Sequence, residues 1–507
     1  MNRKVSRAVK LAALSKDFVS LRRKRDEGAR LRVVDRLMQL HGLPQKIGQI
    51  LSLTELRDET PVFRGLTETN AVLSLDEVKS LITHGLGIPW NVCFRSVDGP
   101  GIGASLAQVH RATLLDGRTV AIKIQLPHIA ESVELDLKAL GWLTVPVGGL
   151  RRGFDLASYR REVGTMLREE LDFRHEAEAL RTFGAFAKQF PNVVVPEVIE
   201  EFSHEAILTM TWIEGDSFST ARKWPNKLRE QIGSTMLEFF FASIFSAQRF
   251  HADPHPGNYR FSHSRDRAMV SVLDFGCTRE LPYGTAVALR TLIEDSISGE
   301  VIRDGRRAFS RFVGLGFHPG LLAPMESRLP ALCEILFEPF LFDRPFDLAG
   351  WRLGERVSEA LGDYRWNFRT AGPASLIYFM RAYQGLIQYL DALEVPLNWR
   401  TVFEKSLPPK TVEKGASFTA KESWSAAVTR VLKIRVVRAG VTKAELTFPA
   451  TAAENLVDLV PEEIGPRLST RDIDIAAISR RAVSDGFPAG ELFRLSEGKD
   501  DFAVWLE

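Results

Sequence analysis

The sequence predicts an α+β protein of two lobes, with a helical N-terminal extension and a small acidic α+β appendage near its C-terminal end. Three observations carry that prediction. Residues 92–214 read as short strand-like stretches around one long helix, residues 215–410 as a mostly helical block, and residues 426–507 as two hairpins and a short helix. Strands gathered in one stretch of chain and helices in the next are the signature of a segregated α+β arrangement. Length agrees, since 507 residues at roughly 150 per domain is a prior of about three domains. A composition of 45% hydrophobic and 26% charged residues is that of a globular chain with a full core, which excludes wholesale disorder and a fibrous repeat.

Residues 1–91 read as helical, with spaced apolar residues such as Val33, Leu37, Leu40, Val78, Leu81 and Ile82 between Gly and Pro breaks. From Val92 the texture changes. The stretches SLAQVHRATL and TVAIKIQL, joined by Asp116-Gly117, form a hairpin pattern. A helix is expected from Tyr159 to about Ala187, and VVVPEVIEEFSHEAILTMTWIEG reads as further strands. The longest apolar run, Leu237 to Ala247, is about half of the roughly 20 residues that span a bilayer. It is expected as a buried helix, and no transmembrane segment is predicted. The Pro/Lys/Ser-rich stretch Ser406 to Ser425 reads as a linker. Beyond it, LKIRVVRAGVTKAELTFPA reads as a hairpin, IDIAAISRRAV as a helix and ELFRLSEGKDDFAVWLE as a last hairpin around Glu497-Gly498.

The net charge of +2 gives no field that argues for nucleic acid. It conceals an uneven distribution: residues 1–36 hold twelve Lys/Arg against four Asp/Glu, and residues 441–507 seven against thirteen. In the basic head, Lys10, Lys16, Arg22, Arg23, Lys24 and Arg25 alternate with Leu11, Leu14, Phe18, Val19 and Leu21. Such a segment suits peripheral contact with an anionic membrane, at about 1 kcal/mol per basic residue near the surface; a solvated helix is the plainer alternative. The first 16 residues lack the apolar run of a secretory signal, which leaves an amphipathic helix or a transit-like leader. Cys93, Cys277 and Cys333 form no C-x-x-C pair and have no zinc spacing, which fits a reducing cytoplasm.

The strongest chemical signal is His251-Ala-Asp253-Pro-His255-Pro-Gly257-Asn258, followed sixteen residues later by Asp274-Phe275-Gly276. Phosphoryl transfer needs one carboxylate to orient the attacking hydroxyl, and an amide with a second carboxylate to hold Mg²⁺ against the phosphates. Asp253, Asn258 and Asp274 supply those groups. Pro254, Pro256 and Gly257 stiffen the loop that carries them. The competing reading makes His251 and His255 a metal pair or mere parts of the loop. Upstream, Val120-Ala121-Ile122-Lys123 places a Lys in an apolar strand, preceded by the small-residue loop Pro100 to Val109. Small side chains let backbone N–H groups approach phosphates, although an exposed lysine and an ordinary turn would give the same tetrapeptide and loop. Glu169, Glu170, Asp172 and Glu176 supply acid on the helix, a pattern that is more often a solvated face.

Taken together these residues resemble the UbiB-like atypical kinase family, also called aarF-domain kinases. Lys46-Ile-Gly-Gln49 is similar to its KxGQ motif, Glu170-Leu-Asp172 to its ExD motif and GASLAQVHRA to its Ala-rich loop; VAIK, HxDxHPGN and DFG complete the set, over about residues 40–400. The resemblance implies a protein-kinase-like fold that binds ATP and Mg²⁺. Catalysis is implied for Asp253, Lys123, Asn258 and Asp274, with Mg²⁺ on Asn258 and Asp274. The nucleotide site implied comprises Gly103, Ala104, Ser105, Val109, Lys123, Glu176 and Met210. The family also implies that Lys46 reaches Glu170 and Asp172, with Gln49 beside it, so that the N-terminal helices cover the site where protein kinases take peptide. Two departures stand out. Ile102-Gly103 and Ala107 occupy positions where the family has consecutive alanines and a Gly before the Gln, and the acidic appendage replaces the hydrophobic helix pair that ends some bacterial members.

The function implied is a Mg²⁺-dependent ATPase or atypical kinase near isoprenoid-quinone or other lipid metabolism, with a lipid or quinone-precursor ligand. Its expected location is cytoplasmic, peripheral at a membrane, and the C-terminal domain is a candidate contact for a protein partner. A nucleotide-gated pseudokinase scaffold and a small-molecule phosphotransferase remain open beside it; the KxGQ and ExD pair weighs against the second.

Overall fold

The computed structural model describes residues 73–507 apart from 104–105, 128, 132–168, 170, 374–375, 409–430, 440, 461–467, 469–470, 472, 486 and 499. Lys46, Gln49, Ala104, Ser105, Glu170, the basic head and residues 409–425 of the expected linker therefore lie outside the described residues; the linker does not start at Ser406, which is the buried last residue of the helix Trp399–Ser406.

Helix α1 (Leu75–Leu86) starts on a capping box, in which the Ser74 side chain accepts from Glu77 N–H and the Glu77 carboxylate accepts from Ser74 N–H; it stops at Gly87, whose φ of +70° suits glycine. Its Val78 and Ile82 are fully buried in a core shared with Phe94, Leu114, Ile122 and Ile207. The strands are β1 (Phe94–Val97), β2 (Ile102–Gly103), β3 (Ala107–Leu114) and β4 (Thr119–Gln125). The Asp116-Gly117 hairpin stands as read: β3 and β4 pair antiparallel from Ala107↔Gln125 to Thr113↔Thr119, and Gly117 takes φ +92° in the turn.

Helix α2 (Phe173–Ala187) corrects one expectation. The sequence reading ran a single helix from Tyr159, but Leu171 and Asp172 interrupt it. Asp172 is extended, at φ −114° and ψ 100°, and its carboxylate accepts from Arg174 N–H, so it starts a new helix. Strand β5 (Val193–Val194) and strand β6 (Ile207–Thr211) follow, β6 closing the sheet beside β4. All the pairings in this sheet are antiparallel.

The block read as mostly helical carries, after the short helix Phe218–Ala221, helix α3 (Asn226–Phe245), which buries Leu237, Phe241 and Ile244 as the apolar run requires. It then carries strands β7 (Arg249–His251), β8 (Tyr259–Ser264), β9 (Arg267–Val272) and β10 (Thr278–Glu280) before the remaining helices, including α4 (Leu376–Ala392). Strands β7 and β10 pair antiparallel, which brings His251 opposite Thr278 and sets the HxD and DFG segments side by side. The core of this part centres on Leu237, Phe241, Phe340, Trp399 and Phe403.

Residues 431–507 form strands β11 (Val431–Arg438), β12 (Val441–Pro449), β13 (Gly490–Glu497) and β14 (Asp500–Leu506), ordered β12-β11-β14-β13. Both hairpins and the helix Ile475–Ser484 appear where the sequence put them. The sheet has its own core of Leu432, Ile434, Phe448, Phe493, Phe502 and Val504. Among the described residues no helix is long and apolar enough to cross a membrane.

Candidate active site

Strand β4 is buried along its length, so a lysine in its middle must find a partner or lose its charge. Lys123 finds two. Its Nζ donates to Glu176 Oε1 and Oε2 at 2.9 and 2.8 Å and to Asp274 Oδ2 at 3.0 Å. The Lys123 and Glu176 side chains are 8% and 3% exposed, whereas Asp274 is 35% exposed at the open side of the cluster. Burial works against charge on Lys123, but Asp274 and Glu176 outweigh it and hold the ammonium above its ordinary value. Burial likewise opposes charge on Asp274, yet Lys123 and the Gly276 N–H bring its carboxyl down to about 2.

Opposite this cluster, β7 delivers the loop from His251 to Asn258. His251 Nε2 donates to the Asp274 carbonyl, which leaves Nδ1 to accept from Asp253 N–H at 3.3 Å. Burial keeps the imidazole below its usual range, in the neutral form that this arrangement needs. The Asn258 side-chain nitrogen donates to Asp253 at the carbonyl (3.1 Å) and at Oδ2 (3.2 Å), and Leu273 N–H donates to the Asn258 carbonyl at 2.9 Å. The His251/His255 metal pair is thus replaced by two structural roles, because His255 accepts from Gly257 N–H at 3.0 Å and caps the short turn to Asn258.

Phe275 is 1% exposed and packs on Phe183 of α2 at 4.8 Å and on His251 at 5.5 Å between centroids. It ties α2 to the His251–Asn258 loop. Gly276 leaves room for the cluster, since a Cβ there would lie 3.2 Å from Asp274 Oδ1 and 3.4 Å from Glu176 Oε2.

Of the expected nucleotide residues, Val109 sits across from Lys123 in the β3/β4 register, Gly103 across from Gln108 and Met210 across from Ala121. Lys123, Glu176, Asp253, Asn258 and Asp274 are brought together. Asp172 engages Arg174, which also reaches Glu205 at 3.1 Å.

Two partners escaped the sequence reading. Arg381, 8% exposed on α4, donates from Nη2 to Asp253 Oδ1 at 2.5 Å. One and two turns on, Gly385 lies against Pro254, where a Cβ would come within 2.1 Å of its ring, and the Tyr389 hydroxyl donates to the Pro254 carbonyl at 3.1 Å. The signal was an Arg, a Gly and a Tyr spaced four apart in the largely apolar LIYFMRAYQGLIQYL, which places them on one helix face. The other is Arg279, which pairs with Glu169 at 2.7 Å and stacks on Tyr378 at 4.8 Å, linking the residues after DFG to the start of α2.

Asp274 and Asn258 offer hard oxygen donors, the kind that suit Mg²⁺ sharing its remaining positions with phosphate and water. The Asn258 nitrogen turned toward Asp253 leaves the amide oxygen on the other side. The donor set therefore fits the ion.

Residues 66–302 match the ABC1 atypical kinase-like domain. Relatives include the atypical kinase COQ8, mitochondrial, of Saccharomyces cerevisiae, 28% identical over 65% of this chain and 66% of that one. The atypical kinase coq-8, mitochondrial, of Caenorhabditis elegans is 26% identical over 65% of this chain and 44% of that one. AarF domain-containing protein kinase 1 of Mus musculus is 30% identical over 48% and 49%. The chain thus spans about half to two thirds of the length of these relatives. A solved structure of Rv3197 from Mycobacterium tuberculosis, in complex with erythromycin, superposes with a TM-score of 0.52 at 23% identity, over 78% of this chain and 98% of that one. That likeness is one of fold, and it agrees with the two-lobed kinase-like α+β class read from the sequence.

Proposed function

We propose that this chain, which carries an ABC1 atypical kinase-like domain over residues 66–302, binds ATP with Mg²⁺ between its lobes and hydrolyses or transfers the γ-phosphoryl group. The observation that carries the reading is the Lys123, Glu176 and Asp274 cluster facing the Asp253–Asn258 loop. Lys123, held charged, meets the α/β-phosphates, and Glu176 fixes its position from α2. Asn258 and Asp274 hold Mg²⁺, which when bound offsets phosphate charge and leaves catalysis to positioning and electrostatics. Asp253 orients the attacking oxygen. Gly103 meets the phosphates with Ala104 and Ser105, which the family resemblance implies, while Val109 and Met210 line the base.

The acceptor we favour is water or a small lipid such as a quinone precursor, in isoprenoid-quinone or related lipid metabolism. Support comes from the KxGQ and ExD motifs and from relatives named COQ8. The basic residues 1–36 would meet an anionic membrane, and the acidic C-terminal domain a protein partner. A second reading, a nucleotide-gated scaffold without turnover, is favoured by one observation: Arg381 and Asn258 already engage both carboxylate oxygens of Asp253.

The test is Mg²⁺-dependent ATP turnover by the full chain and by Asp274→Asn, with and without quinone-precursor-like phenols and anionic liposomes. The proposal expects turnover in the parent alone, raised by phenol or liposome. Parent activity no greater than the variant's under every condition, with ATP still bound, would leave the scaffold; a phosphorylated peptide product would refute the lipid-side acceptor.

A further inference from the structure

Gln108 and His110 stand on β3, inside the nucleotide hairpin, yet neither belongs to the site described above. Both are buried, Gln108 at 0% and His110 at 2% exposure. A buried amide is costly unless its polar atoms are bonded. The Gln108 side chain spends its bonds on one backbone position: Oε1 accepts from Leu73 N–H at 2.9 Å and Nε2 donates to the Leu73 carbonyl at 3.2 Å. It thereby imitates a strand's peptide group and holds Leu73, immediately before the α1 cap, against the sheet.

The same Nε2 lies 2.8 Å from His110 Nε2, and His110 Nδ1 lies 2.8 Å from the Asp98 carbonyl. Since Gln108 Nε2 and the carbonyl fix the roles, His110 accepts at Nε2 and donates from Nδ1. The chain of bonds ends in the loop that leads to β2. There Gly101 packs directly on both side chains, because a Cβ would fall 2.4 Å from His110 Nε2 and 2.7 Å from Gln108 Nε2. Gly103 then pairs with Gln108 and Ile102 with Val109 across the hairpin.

We infer that Gln108 and His110 form a positioning clamp, joining the phosphate-facing hairpin to the chain at Leu73, so that nucleotide occupancy and the anchoring of the N-terminal extension are coupled. The inference rests on the nucleotide reading above. Its physical content is that the loop from Asp98 to Gly103 cannot shift without moving His110, and His110 cannot move without disturbing the grip on Leu73.

The test is hydrogen exchange at the Leu73 amide in the full chain, with and without Mg²⁺ and a non-hydrolysable ATP analogue, beside the analogue's affinity. The parent is expected to bind the analogue and to exchange Leu73 at least 5-fold more slowly when it is bound. Gln108→Met, of similar volume, is expected to bind about 10-fold more weakly and to exchange Leu73 at one rate with or without analogue. A merely structural role would lower the melting temperature and leave the analogue's affinity intact, which would overturn the inference. If Gln108→Met does not fold, His110→Phe serves: it keeps the grip on Leu73 and severs the link to Asp98, so basal protection should persist while the nucleotide effect is lost. Full slowing in that variant would overturn the clamp. Parent protein that binds no analogue would sink the nucleotide reading and the clamp with it, whereas binding without slowing at Leu73 would sink the clamp alone.

Discussion

Replacing Lys123 by Met tests the cluster at its centre. Its ammonium is shared by Glu176 at 2.8 Å and Asp274 at 3.0 Å, and the Glu176 side chain is 3% exposed. One such charge pair 4 Å apart is worth about 4 kcal/mol at an effective dielectric constant near 20. Desolvation offsets part of that, and removing one partner of a buried pair typically costs about 3–5 kcal/mol, because the other is left charged and alone. Lys123→Met leaves two carboxylates facing each other with no cation between them, so the upper part of that range is expected. Glu176→Gln keeps an oxygen on Lys123 and leaves Asp274 as its counter-charge, so its expected cost is about 1–2 kcal/mol. In the double variant Lys123→Met/Glu176→Met neither charge remains, and the loss should fall short of the sum of the single Met losses by about 2 kcal/mol. Urea denaturation of the parent, Lys123→Met, Glu176→Met, Glu176→Gln and the double variant, followed by tryptophan fluorescence, reads these differences. Small and additive losses, each below about 1 kcal/mol, would mean that the three side chains behave as solvated surface charges and would refute the reasoning.

Three further expectations follow from the packing around this cluster. Phe275→Ala empties a site 1% exposed between Phe183 and His251 and should cost about 3–5 kcal/mol in the same denaturation assay, with weaker nucleotide binding as α2 loosens. Gly385→Ala drives a Cβ to 2.1 Å from the Pro254 ring; the strain expected is about 1–3 kcal/mol, and turnover should fall more than nucleotide affinity, because the displaced loop carries Asp253. Burial holds His251 below its ordinary value, so as pH falls the unfolded chain takes up this proton first; the ring's contribution to stability is intact above about pH 6.5 and lost below it. His251→Gln should flatten the stability slope below about pH 6.5, and an unchanged slope would place the titrating group elsewhere.

What was legible in the sequence was chemistry carried by short contiguous strings. The HxDxHPGN and DFG segments and the strand Lys could be read because each functional group has a fixed neighbour along the chain, and the hairpins because Asp116-Gly117 and Glu497-Gly498 mark them locally. Arg381 was illegible for the opposite reason. It lies 128 positions from its partner Asp253, and nothing beside it says that its helix packs on the loop that carries Asp253. The helix start at Asp172 was missed because the bond from Arg174 N–H to the Asp172 side chain that caps α2 is a geometric event. Gln108 and His110 were read only as part of a family string; that they grip Leu73, 35 positions away, needed the fold.

The central claim is that Asp274 and Asn258 hold Mg²⁺ for a nucleotide bound over Lys123. Calorimetric titration of ATP into the full chain, with Mg²⁺ and with chelator, tests it most directly when run beside Asp274→Asn. The account expects Mg²⁺ to tighten ATP binding by at least 10-fold in the parent and to make little difference in the variant. Parent binding that is indifferent to Mg²⁺, or an equal Mg²⁺ effect in both proteins, would contradict it.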